Sequence, residues 1–530
     1  MKATDGYADT GDTGIRLLNK SKKGLLRIVF SRTGLIALLL VIQLALLVGI
    51  FIYSREYLPY FYVVDAVFTI AMLIYLLNSS HDPSAKITWL VVIMMLPVFG
   101  ALLFFYTHSD LGHRVLKDRF AQISKESNEE IPQDEAVMEK FCREAPEAVG
   151  LARYLKRAGC HPVFDKTAVK YFPLGEDKFE ELLIQLRKAE KFIFLEYFIV
   201  DEGLMWGRVL EILAEKAKQG VEVRMMYDGT CEFALLPHDY PKRLQELGIK
   251  CKSFAPLSPF GSTHDNYRDH RKILVVDGKV AFTGGVNLAD EYINKKERFG
   301  HWKDTAVMVE GEAAKSFTLM FLQMWNVSEK ESRYDEYIKL PVHNAEDAPG
   351  FVIPYGDCPV DNERVGEWLY LDILNRARDY IYIMTPYLIL DGEMETAIKF
   401  AAERGVDVRL ILPGIPDKKM PYALAKTHYK SLLESGVKIY EYSPGFVHAK
   451  VFVCDDRESV VGTINLDYRS LYHHFECACY MYKAQCTEDI KKDFLETQEK
   501  CRTVDFDTVK NEKLSVKITG LLLKVIAPLM

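Results

Sequence analysis

Positive charge is what this chain is short of: 67 Lys and Arg stand against 74 Asp and Glu over 530 residues, a formal net charge of −7. A general nucleic-acid binder normally carries a basic domain to neutralise phosphates, so that class is disfavoured. The 10 cysteines show no paired spacing of an extracellular disulfide scaffold. A cleaved secretory leader is not expected either. The first hydrophobic run starts late, at Gly34, and ends in bulky Phe51, Ile52 and Tyr53 without a small-residue cleavage site.

Long uncharged runs, by contrast, are present. Gly34 to Tyr53 has no charge and matches the ~20 residues that cross a hydrocarbon core. Tyr60 to Leu77 carries only Asp65, and Ile87 to Tyr106 is uncharged but interrupted by Pro97 and Gly100. Six basic residues from Arg16 to Arg32 precede the first run, which places the N-terminus in the cytoplasm. Arg114, Lys117 and Arg119 follow the third run, so the remainder is expected on the same side, with the third run re-entrant or interfacial. At the other end, Lys513, Lys517 and Lys524 fall within about 40° on a helical wheel. Leu514, Val516, Ile518, Leu521, Leu522, Leu523, Val525 and Ile526 fill the rest, a pattern suited to an interfacial helix on anionic lipid.

The chemistry lies in a duplicated string. His270-Arg-Lys272-Ile-Leu-Val-Val-Asp277 recurs as His448-Ala-Lys450-Val-Phe-Val-Cys-Asp455, and a Gly-x-x-Asn tail follows each at the same offset, Gly284 to Asn287 and Gly462 to Asn465. The flanks recur in the same order: Tyr197 to Asp201 with Tyr387 to Asp391, Gly220-Val-Glu-Val-Arg224 with Gly405-Val-Asp-Val-Arg409, and Gly248-Ile-Lys with Gly436-Val-Lys. Two homologous halves follow. Each motif sits in a β-branched run where residues i and i+2 share a face, which aims His and Lys into one site and leaves Asp at the strand's end. Gly278 signals a turn, with Lys279 to Thr283 as the returning strand.

HxKxxxxD followed by Gly-x-x-Asn, twice in one chain, resembles the phospholipase D superfamily. Asn266 to Lys272, His301 to Thr305, Thr385-Pro386-Tyr387, Gly445 to Lys450 and Asn465 to Ser470 resemble bacterial cardiolipin synthases, over a span from about residue 60 to the C-terminus. One departure is that Gly285 and Thr463 stand where family members often have Ser. The resemblance implies an α/β fold of two phospholipase D-like domains with mixed central sheets, plus N-terminal transmembrane helices. The expected segments are a basic cytoplasmic stretch 1–33, an anchor 34–106, a linker 107–155, catalytic halves 156–338 and 339–509, and an interfacial helix 510–530. Within these, Lys191 to Val200 is expected as a strand, Trp206 to Gln219 and Gly392 to Glu403 as helices, and Lys339 to Val365 as the connection between halves.

Exchanging one ester alcohol of a phosphodiester for another needs a nucleophile, an acid for the leaving alkoxide and cations on the phosphoryl oxygens. Two HxK units supply all three without metal or cofactor. By resemblance His270 is the nucleophile and His448 the acid and base. Lys272 and Lys450 hold the oxygens, Asp277 and Asp455 complete the motifs, and Asn287 and Asn465 offer further donors. Asp304 and Glu476 resemble carboxylates that orient the histidine of the opposite half.

The expected function is a membrane-bound cardiolipin synthase, moving a phosphatidyl group between two phosphatidylglycerols with release of glycerol. A phospholipase D passing the same group to water needs the same residues and differs in water exclusion. A nucleic-acid phosphodiesterase would leave the hydrophobic runs unexplained, and a non-enzymatic scaffold would leave the paired motifs so.

Overall fold

Runs of β-branched and aromatic residues such as Phe192 to Tyr197 (FIFLEY) and Lys272 to Val276 (KILVV) become central strands, because branched side chains pack well on a pleated surface buried on both faces. The computed structural model describes residues 15, 17, 58–79, 82–95, 100–101, 103–105, 111–159, 161–255, 267–361 and 363–529. Contacts divide the chain into a catalytic unit, Lys117–Pro256 and Tyr267–Leu523 with the first 18 residues, and a second unit of Asn19–Leu116, Leu257–Asn266 and Lys524–Met530.

The first half of the catalytic unit contains β1 (Ala168–Phe172), β2 (Phe192–Tyr197), β3 (Glu222–Asp228), β4 (Lys250–Phe254), β5 (Arg268–Asp269), β6 (Lys272–Val276), β7 (Val280–Gly284), β8 (His301–Lys303) and β9 (Ala306–Glu310). The second contains β10 (Phe351–Asp357), β11 (Tyr380–Met384), β12 (Asp407–Pro413), β13 (Lys438–Tyr442), β14 (Gly445–Val447), β15 (Val451–Cys454), β16 (Glu458–Gly462), β17 (His474–Tyr482) and β18 (Cys501–Val504). The sheet orders are β1-β9-β7-β6-β2-β3-β4 and β10-β17-β16-β15-β11-β12-β13-β18. Over seven positions they repeat one another, down to the parallel pairs β2/β3/β4 and β11/β12/β13 among otherwise antiparallel neighbours, and the second sheet adds β18 beyond β13. The internal repeat read from the sequence is therefore a repeat of whole mixed sheets. Helices Leu204–Lys218 and Gly392–Glu403 lie close to their expected limits.

Two connecting segments do more than connect. Within the stretch expected as a linker, Glu135–Glu144 and Val149–Gly159 are helical, the first started by Asp134, whose carboxylate accepts from Ala136 N at 2.8 Å. Their Phe141, Leu151 and Leu155 enter the core of the second half beside Ile353 and Tyr355, so an apolar stripe that periodicity could have flagged is spent on the distant sheet. Likewise Phe351–Asp357, inside the expected connection, is strand β10, paired along its length with β17.

In the second unit, Leu58–Leu77 and Pro83–Met95 are helical, and Met72, Leu76, Trp89, Ile93, Ala101 and Phe104 pack together. Pro97 of the third hydrophobic run lies outside the described residues, whereas Gly100 lies within them. A Cβ on Gly100 would lie 2.8 Å from Val92 O, so only glycine allows that approach. Among the described residues no helix is long and apolar enough to cross a membrane. The run Gly34 to Tyr53, expected as the main span, lies outside the described residues. Val63, Val67, Ile70, Ile74 and Leu77 are each more than half exposed, so the Leu58–Leu77 helix presents an apolar surface.

Candidate active site

The motif strands start one step later than alternation suggests. β6 begins at Lys272 and β15 at Val451, so each histidine lies just before its strand and is placed by the opposite half. β5 runs parallel to the start of β17, with Arg268 opposite His474 and Asp269 opposite Phe475. The next amide, His270 N–H, donates to Phe475 O at 3.0 Å. The second half mirrors this, with β14 parallel to β8 and His448 N–H donating to Lys303 O at 2.7 Å.

One residue beyond each of those carbonyls is a carboxylate. His270 Nδ1 therefore lies 2.9 Å from both oxygens of Glu476, and His448 Nδ1 lies 2.7 Å from Asp304 Oδ2. Lys272 Nζ donates to His270 O at 2.5 Å, and Lys450 Nζ donates to His448 O, which folds each lysine head back beside its imidazole. All six side chains are buried.

Burial dominates the electrostatics. It lowers His448 to about 4, aided by Lys450 and opposed by Asp304, and it pushes His270 well below the ordinary imidazole value, aided by Lys272. It raises Glu476 well above the usual carboxylate range against the pull of Lys272. Lys272 is lowered to about 8 and Lys450 to about 7, again mainly by burial. A site with neutral imidazoles and cations short of counter-charge is prepared for an anion.

Other motif residues lie elsewhere or are already engaged. Asp277 and Asp455, expected with the catalytic set, sit at the far ends of β6 and β15, roughly 15 Å along the strand from their lysines. The Asp277 carboxylate accepts from the backbone N–H groups of Glu190, Lys191 and Phe192 at 2.8–2.9 Å, and Asp455 from those of Arg378, Asp379 and Tyr380 at 2.8–2.9 Å. Burial pulls Asp455 up, but those backbone donors outweigh it and the net shift is down. Both aspartates have positive φ, 54° and 51°, and tie the turn to the first residues of β2 or β11. In this structure their carboxylates anchor strands.

Asn287 is partly engaged as well, accepting from Ile199 N at 3.0 Å and donating to Tyr292 Oη at 2.8 Å, which leaves the second N–H of its amide. Asn465 differs, because its Oδ1 is buried without a hydrogen-bond partner among the described residues.

The Ser-position departures have a geometric cause. A Cβ on Gly285 would sit 1.9 Å from Asp304 Oδ1, so the carboxylate that serves His448 occupies the space a side chain would need. In the second half Thr463 keeps its hydroxyl, which accepts from Cys477 N at 3.0 Å and donates to Glu476.

Several neighbours escaped the sequence reading. His474, with its ring centroid 5.2 Å from that of His270, is buried and faces Glu476 Oε1 at 3.4 Å. Its spacing of two from Glu476 on one strand was the available signal. Lys178, also buried, donates to Val286 O at 3.2 Å and is lowered to about 7 by burial, partly offset by Asp304. Tyr292, Trp302 and Phe446 ring His448 with centroids at 5.5, 5.5 and 5.8 Å, while Phe198 lies 4.9 Å from His270.

A family model described as cardiolipin synthase, PLD-like domain, matches residues 182–325 and 370–497, and one described as phospholipase D-nuclease N-terminal matches residues 67–106. An uncharacterized protein of Streptococcus mutans is 57% identical over 87% of this chain and 100% of its own length. A cardiolipin synthase of Alkalihalophilus pseudofirmus is 32% identical over 92% of this chain and 98% of its own. Among solved structures, phosphatidylserine synthase of Haemophilus influenzae aligns with a TM-score of 0.54 at 16% identity, covering 72% of this chain and 98% of that one, a likeness of fold.

Proposed function

The chain belongs to the family of cardiolipin synthases with phospholipase D-like domains, and from that premise we propose that it transfers a phosphatidyl group from one phosphatidylglycerol to another, giving cardiolipin and glycerol. The observation that carries the reading is the crossed pairing of His270 with Glu476 and His448 with Asp304, which sets two imidazoles around one anion site with Lys272 and Lys450 beside them.

With Nδ1–H donated to Glu476, His270 presents the lone pair of Nε2 and attacks phosphorus, forming a P–N bond as the bond to the glycerol oxygen breaks. Lys272 and Lys450 neutralise the phosphoryl oxygens through the transition state. His448, protonated as the lipid anion binds, gives its Nε2 proton to the departing glycerol oxygen. It then takes the proton of the incoming primary hydroxyl, whose oxygen attacks phosphorus and releases His270. Asn465 Oδ1 is available to accept from a headgroup hydroxyl. The aromatic ring around His448 favours an alcohol acceptor over water, which separates this reading from a hydrolytic phospholipase D. Asp277 and Asp455 act as scaffold, and Asn287 retains one amide N–H as a donor.

Membrane residence accompanies the substrate. The uncharged run Gly34 to Tyr53 serves as anchor with the N-terminus in the cytoplasm. The terminal helix Leu514–Ile526 exposes Leu514, Ile518, Leu521 and Leu522 beside its row of lysines, a surface suited to anionic lipid. Purified protein in phosphatidylglycerol micelles is expected to yield cardiolipin and free glycerol in equal amounts without nucleotide or added divalent metal. A strict need for a nucleotide-activated lipid, or phosphatidic acid as the main product, would overturn the assignment.

A further inference from the structure

We propose that His270, His474 and Glu476 form a binding site for a divalent transition-metal ion of the zinc type, and that filling it switches off the first imidazole. The three residues are buried, and one donor atom from each lies within 4.8 Å of the others. Two separations are close to the edge of a tetrahedron around zinc, roughly 3.3 Å for bonds near 2.0 Å. His270 Nδ1 is 2.9 Å from Glu476, and His474 Nδ1 is 3.4 Å from Glu476 Oε1. The independent observation is His474 itself, since neither of its ring nitrogens has a hydrogen-bond partner among the described residues although the ring is only 8% exposed. A buried imidazole with two idle nitrogens beside a carboxylate is an incomplete arrangement that a metal would complete.

The surroundings select the ion. Lys272, Arg268 and Arg469 act on His474 with positive charge, which opposes any cation. Magnesium and calcium, which bind through charge to oxygen ligands, are excluded by such a site. Zinc, cobalt and copper gain from imidazole nitrogen donors. Binding at His270 Nδ1 displaces the single proton of the neutral ring from that atom, and the ring takes the other tautomer with the proton on Nε2. The lone pair that would attack phosphorus is then gone. This inhibitory consequence rests on the proposed role of His270, whereas the binding itself does not.

The test uses the full chain purified in detergent and freed of metal by chelation. Cobalt titration is expected to raise visible absorption bands of a low-coordinate nitrogen-ligated ion in the native protein, and none in His474→Asn. Zinc is expected to inhibit cardiolipin formation, with EDTA reversing it, and His474→Asn should raise the half-inhibitory zinc concentration by about tenfold or more. His473→Asn should leave it unchanged. Absence of cobalt bands in the native protein, or equal zinc sensitivity in native and His474→Asn proteins, overturns the site. If thermal melting shows His474→Asn to be misfolded, His474→Gln takes its place. If no protein makes cardiolipin, the cobalt titration still decides the metal site while the functional reading fails separately.

Discussion

The crossed carboxylates give the sharpest prediction, because each is expected to disable a different chemical step. Asp304→Asn places an amide 2.7 Å from His448 Nδ1, and Glu476→Gln does the same at 2.9 Å from His270. An amide nitrogen facing Nδ1 donates instead of accepting, which turns the imidazole to the wrong tautomer at Nε2. Loss of an orienting carboxylate in a buried imidazole pair costs about 10³ to 10⁴ in rate, roughly 4 to 5.5 kcal/mol. With phosphatidylglycerol, where the leaving alkoxide needs a proton, both variants are expected to fall by that factor. With a phosphatidyl ester of p-nitrophenol the first step needs no acid, so the variants separate. Asp304→Asn should keep a stoichiometric burst of nitrophenol and accumulate an acid-labile, base-stable phosphatidyl-enzyme, whereas Glu476→Gln should show neither. The assay is stopped-flow absorbance with trapping of labelled lipid on the protein. The reverse pattern makes His448 the nucleophile, and near-native rates in both variants refute the orienting role.

Other consequences are shorter to state. Lys450 and Lys272 must be charged to hold the phosphoryl oxygens, so kcat/KM is expected to fall as pH rises through about 7 to 8, where they lose their protons; a rise over that range in a pH profile would count against the assignment. Gly285→Ser forces a Cβ to 1.9 Å from Asp304 Oδ1 and should lower kcat by about 10²-fold, with little change in KM, through displacement of that carboxylate. Lys178 takes up its proton below about 7 when folded but below about 10.5 when unfolded, so folding is opposed as pH drops between those values. Lys178→Met should therefore gain Tm relative to the native protein at pH 7 compared with pH 10, as melting curves at the two pH values will show. Replacing Lys513, Lys517 and Lys524 with Gln should leave the protein in the membrane fraction and lower turnover on anionic bilayers, but not on detergent-dispersed short-chain lipid; an equal loss on both would make the helix part of the catalytic core.

What could be read without coordinates was whatever repeats or alternates. The two HxK units announce themselves by duplication, and the β-branched runs behind them form mixed sheets that share one order over seven strands. Spacing alone groups Asp277 and Asp455 with the histidines, but it does not reveal that their oxygens accept from the backbone amides of Glu190 to Phe192 and Arg378 to Tyr380. The partners of Asn287, Ile199 and Tyr292, are likewise set by tertiary packing. The apolar stripe Phe141, Leu151 and Leu155 was visible as a pattern, yet nothing local reveals that it is buried against a sheet some two hundred residues downstream. Gly285 reads as a lost hydroxyl in the sequence and as room for Asp304 in three dimensions.

That wiring has a consequence for how the duplicated protein works. In a simple tandem repeat each half would carry its own histidine and acceptor, and a fragment could keep partial function. Here the histidine of each half receives both its backbone pairing, Phe475 O or Lys303 O, and its carboxylate, Glu476 or Asp304, from the other half. The helices Glu135–Glu144 and Val149–Gly159 precede the first half in sequence but complete the core of the second. Neither half therefore orients its own imidazole, and the core of the second is completed from outside it. The pairing also lets the repeats diverge around a fixed centre. Gly285 with Lys178 has come to serve the Asp304 side, while Thr463 with His474 serves the Glu476 side. Two homologous halves thus give their histidines unlike surroundings, and that inequality suits the proposed division into one nucleophile and one acid.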